Sequence, residues 1–148
     1  MNINKDETKH LKIIFDIDDS ENPDIEILWA TPVGKNYEID SIPFYVRSVA
    51  CGDMVSAVPD EEGALRFSGL VSASGHSTIR LWFAKEEDVL KTRNELRVMG
   101  CPSELDLPRL VAVDVPPSVP YGEVRSYLDG KENAGVFEYE EACLGQEE

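Results

Sequence analysis

Ser74-Gly75-His76-Ser77-Thr78-Ile79-Arg80 divides this chain into two differently patterned halves. Ahead of it run short segments with strand-like alternation, punctuated by Gly and Pro. Behind it the pattern becomes strand, helix, short strand, central strand, helix, strand. The stretch also holds one of only 2 histidines, flanked by hydroxyls, and places His76, Thr78 and Arg80 at alternate positions of an extended segment. Histidine titrates near neutral pH without assistance, so chemistry is sought here first.

Working toward the N-terminus, Leu65–Val71 reads as a return strand after the loop Pro59-Asp60-Glu61-Glu62-Gly63. Met54–Val58 precedes that loop, and Cys51-Gly52-Asp53 turns the chain into it. Ser41–Val46 is too apolar for a free loop and predicts a tight or helical turn burying Ile42 and Phe44. Val33-Gly34-Lys35-Asn36 is a hairpin turn between Ile25–Thr31 and Tyr37–Ile39. Leu11, Ile13, Phe15 and Ile17 share one face of a first strand. Closely spaced short strands of this kind suggest a small antiparallel β-barrel-like half over residues 1–74.

Toward the C-terminus, Ile79, Leu81 and Phe83 alternate with Arg80 and Trp82. Glu86-Glu87-Asp88 opens a helix carrying Val89, Leu90, Leu96 and Met99, which ends at Gly100 with Arg97 in its last turn. Leu110–Val115 is the most continuously apolar strand, as a central position requires. A second helix starts near Pro120, presents Tyr121, Val124, Tyr127 and Leu128, and is expected to stop at Gly130. Val136–Glu140 closes the chain with Glu138 and Glu140 outward. This order predicts a ferredoxin-like half over residues 75–148, so the fold class is α+β, one compact unit with His76 where the halves meet. The expected core includes Ile13, Phe15, Leu28, Phe44, Leu81, Phe83, Leu96, Val113, Val124 and Phe137.

The 148 residues hold 29 acidic and 14 basic side chains, a net charge of −15. The excess is even, with 14 acidic and 6 basic residues up to Ser74 and 15 and 8 after it. Such a chain repels nucleic acid and anionic lipid and attracts cationic proteins. Neither a secretion signal nor a membrane-spanning run is visible. Cys51, Cys101 and Cys143 are few, distant and odd in number, which fits reduced thiols in a cytoplasm. Two histidines and unpaired cysteines carry no zinc signature, and no glycine spacing matches a phosphate loop, so neither a metal nor a cofactor is expected.

Several segments together resemble a bacterial family known as domain of unknown function 4265. They are Leu28-Trp29-Ala30 with Pro32 and Gly34, Ile42-Pro43-Phe44, Gly52-Asp53, Ser74–Arg80, Val113-Asp114-Val115-Pro116-Pro117 and Glu138–Leu144. The resemblance implies a bacterial cytoplasmic protein and carries no activity with it. Size and acidity are also similar to those of immunity proteins that accompany secreted bacterial toxins, as in contact-dependent inhibition.

Two functional expectations follow. The first is a non-enzymatic immunity protein whose partner is a basic toxin domain such as a nuclease, bound through Asp60, Glu61 and Glu62 and through Glu138, Glu140 and Glu141. The second is a small-molecule-binding module or enzyme with a site at His76, Ser77, Thr78 and Arg80. An enzyme needs a carboxylate to orient the histidine, for which the sequence offers Asp53 or Asp114. The competing expectation is a structural turn in which His76 and the hydroxyls bond within the fold.

Overall fold

Alternation at period two builds the first half into β1 (Leu11–Ile17), β2 (Asp24–Val33), β3 (Asn36–Ile39), β4 (Met54–Pro59) and β5 (Leu65–Ser72). In this computed structural model residues 10–17 and 24–145 are described. The strands pair antiparallel in sequence order, and β1 pairs in parallel with β5 through Ile13 and Leu65, closing the sheet on itself. Inside lie Ile13, Phe15, Leu28, Ala30, Ile39, Val46, Val49 and Val55. Gly34 has φ +62° at the hairpin turn between β2 and β3, a conformation that favours glycine.

The segment between β3 and β4 folds into turns held by one side chain. Glu26 of β2 accepts hydrogen bonds from the backbone N–H groups of Phe44, Tyr45 and Val46 at 2.7, 3.0 and 2.8 Å. Ile42 is buried as expected, whereas Phe44 is only half-buried. Its ring lies beside Tyr45, with centroids 6.3 Å apart, and it is not among the core residues.

The second half contains β6 (Ser77–Phe83), a 3₁₀ turn over Glu86–Asp88, α1 (Val89–Val98), β7 (Ser103–Leu105), β8 (Leu110–Val115), α2 (Tyr121–Asn133) and β9 (Phe137–Cys143). The sheet order is β7-β8-β6-β9 with every pair antiparallel. Ile79, Leu81 and Phe83 join Val111, Val113, Val115 and Phe137 beneath Val89 and Leu96 of α1 and Tyr121, Val124 and Leu128 of α2. All six residues of β8 are buried, as its unbroken apolar run requires. The whole is a sheet-rich α+β structure that divides into two compact units, one ending at Ser74 and the other starting at Gly75.

Local details differ from the sequence reading. The acids Glu86–Asp88 form the 3₁₀ turn ahead of α1 rather than its first turn, and Leu90 points to solvent. The second helix runs through Gly130 to Asn133, and Gly135 with φ +80° ends it. A single glycine weakens a helix interior by only about 1 kcal/mol, so three buried anchors on α2 override it.

Candidate functional site

Gly75 adopts φ +93° and lets the chain reverse into β6, which places His76 at the strand's entrance. Its Nδ1 lies 2.7 Å from Oδ1 of Asp114 on β8. The register pairs Thr78 with Asp114 and Ile79 with Val113, so Thr78 and Asp114 share the face turned away from the helices. Asp114 is 5% exposed, and burial raises its carboxyl above the ordinary value while the imidazole hydrogen bond pulls it back. Of the two carboxylates that the sequence offers for His76, Asp114 is the partner. Asp53 instead accepts from the N–H of Ala50 at 2.9 Å and from the N–H and hydroxyl of Ser74, both at 2.8 Å.

The neighbouring hydroxyls are not poised as nucleophiles. Ser77 is fully buried and its Oγ accepts the N–H of Gly145 at 2.9 Å. Thr78 is fully buried, and its Oγ1 has no hydrogen-bond partner among the described residues. Arg80, 3% exposed, lies 3.5 Å from Glu140. Three of the four residues thus meet different partners, His76 with Asp114, Ser77 with the C-terminal segment and Arg80 with Glu140, while Thr78 is buried beside them. Cys101 is buried and its thiol is pushed up to about 11, first by burial and then by the charge of Asp114, which holds it protonated and inert.

The acidic positions separate as well. Asp60 is tied into its own loop, accepting from the N–H groups of Glu62 and Ala64 at 2.8 and 3.0 Å and from Arg66 Nε at 3.1 Å. Those bonds hold its carboxyl below the ordinary range. Asp60 therefore shapes the loop, while Glu61 and Glu62 are exposed on it. Glu138 is exposed, but Glu140 is half-buried against Arg80. Glu141 accepts the Tyr121 hydroxyl at 2.5 Å and lies 3.7 Å from Arg125. The expected outward pair on the last strand thus reduces to Glu138. Three of the six acidic positions, Glu61, Glu62 and Glu138, remain open to a partner.

The sequence did not disclose the surroundings of Glu138. It stands directly across from Trp82 of β6, and a concavity of about 620 Å³ lies between them, Glu132 and Gly135. A second hollow of about 510 Å³ runs between α1 and β7 past Arg93, Arg97 and Pro102. Neither includes His76. His10 is exposed, with Nε2 2.7 Å from Asp40 and its ring 5.7 Å from that of Trp29.

A family model described as domain of unknown function (DUF4265) matches residues 26–139. No curated protein matches the chain. Among solved structures, the chain is similar to a hypothetical protein from Neisseria gonorrhoeae, described as a novel crystal structure. The two are 26% identical with a TM-score of 0.79, over 94% of this chain and 98% of that one. Among the described residues, no helix is long and apolar enough to cross a membrane.

Proposed function

We propose, from the premise that this chain belongs to the DUF4265 family, that it is a non-enzymatic acidic binding protein of the cytoplasm. In this reading it is an immunity protein that captures a basic toxin domain, such as a nuclease, and blocks its active site. Its two units are read as a small antiparallel barrel and a ferredoxin-like plait. The order β7-β8-β6-β9, with helices after β6 and β8, supports the second of these names.

One observation carries the function: 29 acidic side chains stand against 14 basic ones, and four of the basic ones already meet carboxylates of their own fold. Arg66 meets Asp16 and Asp60, Arg80 meets Glu140, Arg125 meets Glu141 and Lys131 meets Glu95. The surplus of acids leaves a net charge of −15, which a cationic partner would neutralise. Glu61, Glu62 and Glu138 would take positions that substrate phosphates occupy on the toxin, whose phosphate-binding residues would then hold the inhibitor. Such a field speeds encounter more than it tightens the final complex.

The test starts from the neighbouring reading frame, expected to encode a secreted protein ending in a basic toxin domain. With that domain, the association rate should fall by roughly ten-fold or more between low and high salt, as the Debye length shrinks from about 10 Å to about 3 Å. Glu61→Gln with Glu62→Gln, or Glu138→Gln, should slow association and lessen protection of growing cells. A salt-independent rate with full protection by both variants would overturn the mechanism.

A second reading rests on the 2.7 Å contact between His76 and Asp114, the orienting carboxylate that an enzyme or small-molecule site needs. Under it, His76→Ala abolishes turnover or ligand binding at an unchanged melting temperature. Under the first reading, the same substitution lowers the melting temperature and leaves partner association intact.

A further inference from the structure

β2 breaks the rule that a strand with one face on a core turns polar residues outward. Its inward residues Leu28 and Ala30 are buried, yet the outward series Ile25, Ile27 and Trp29 is also apolar, at 45%, 48% and 44% exposure. Ile14 of β1, half-buried, is in register with Ile27 and widens the stripe. Contiguous exposed apolar surface rimmed by polar groups marks an interaction site.

The rim says what kind of partner. Asp16 and Asp24 stand at the Ile25 end of the stripe, and Glu38 and Asp40 at the Trp29 end, all exposed. The cations here are few and occupied. Lys12 sits 5.2 Å over the Trp29 ring, and Arg66 pairs with Asp16 and Asp60. Lys12 and His10 already lie against the Trp29 ring, so the stripe offers its apolar surface to apolar side chains, while the exposed rim carboxylates suit an arriving Arg or Lys. A second copy of this chain would bring the same acidic rim and another charge of −15 against the first. Three half-exposed side chains fall well short of the ~800 Å² per partner of a standard interface, so the charged rim must attract rather than repel.

We infer that the outer face of the β1–β2 hairpin, centred on Ile25, Ile27 and Trp29, is the docking surface for a basic protein segment that presents apolar side chains between its lysines and arginines. This rests on the reading that the partner is cationic, and it moves the centre of contact away from the acidic loop and β9.

The test uses the full chain and two synthetic probes, a short peptide alternating Leu and Lys and a polylysine of equal charge. Methyl and backbone-amide NMR titration with the Leu/Lys peptide should shift the Ile25 and Ile27 signals first. In a Trp82→Phe background, which leaves Trp29 as the only indole, tryptophan emission should move to the blue. Ile27→Ser, on the solvent side of the strand, should weaken the Leu/Lys peptide by about ten-fold while leaving polylysine binding unchanged. Shifts confined to Glu61, Glu62 or the Trp82–Glu138 concavity would overturn the assignment of the surface and leave the acidic-capture reading standing. Failure of both probes to bind at low salt would overturn that reading too. Concentration-dependent dimerisation of the free protein, abolished by Ile27→Ser, would make the occupant a second copy and overturn the inference.

Discussion

A buried carboxylate beside an imidazole makes stability depend on pH. Burial raises Asp114 above its ordinary value of 3.8, so the fold favours its protonated form. The stability tied to this group is therefore complete below that ordinary value and is lost as pH rises through the raised one. Asp114→Asn should flatten the decline in unfolding free energy as pH rises above about 4, measured in urea at several pH values. His76→Ala leaves that carboxylate without its imidazole and should cost about 1–3 kcal/mol near neutrality. Gly145 offers a sharper test. A Cβ there would lie 2.3 Å from the carbonyl oxygen of His76 and 2.6 Å from that of Gly75, both backbone atoms that cannot swing aside. Gly145→Ala should thus destabilise by more than Ser77→Ala, which removes only one acceptor worth about 1 kcal/mol, and a melting comparison of the two variants settles the order. At this scale the sequence was legible in part. A histidine between hydroxyls stood out, but its partner is 38 residues away, and only the β6–β8 register selects Asp114 over Asp53. The bond from Ser77 to Gly145 spans 68 residues and left no local signal at all.

Among the elements, those with clear periodicity and punctuation were legible, because one buried face leaves its mark at every second or every third to fourth residue. The alternation of β1 and β6 and the apolar run of β8 are of this kind. The turn segment before Val46 was legible only in part: Ile42 is buried as expected, but the backbone path is held from outside by Glu26, whose charge reads as an ordinary polar position of β2. Glu26→Ala removes the shared acceptor of three N–H groups and should cost about 3 kcal/mol, more than Glu26→Gln, which keeps one carbonyl oxygen. Urea unfolding of the two variants measures the difference. The α2 helix supplies the opposite case. Gly130 lies within it, and an added Cβ would meet nothing within 4 Å. Gly130→Ala should therefore raise stability by about 0.5–1 kcal/mol, chiefly by restricting the unfolded chain.

For the molecule as a whole, charge was the most legible property and its distribution the least. A count gives −15 at once, but the count does not reveal that Asp60, Glu140 and Glu141 are engaged within the fold while Glu138 is not. Self-repulsion at this charge opposes the compact state, so raising salt from about 0.05 M to about 0.5 M should increase the melting temperature by a few degrees. A fall would mean that attractive pairs outweigh the repulsion. The two sheets also differ in how they end. The first closes on itself, whereas the second stops at β7, only 3 residues long, and at β9, which is 7 residues long. An open seven-residue border is a template for strand addition by another chain, and proteins guard such borders with charge. Glu138 is the exposed carboxylate on β9, and Glu132 accepts the N–H of Tyr139 at 3.0 Å, so carboxylates guard this border whatever partner the protein serves. Neutralising both would strip that guard, and the first consequence to watch for, by light scattering, is edge-to-edge aggregation.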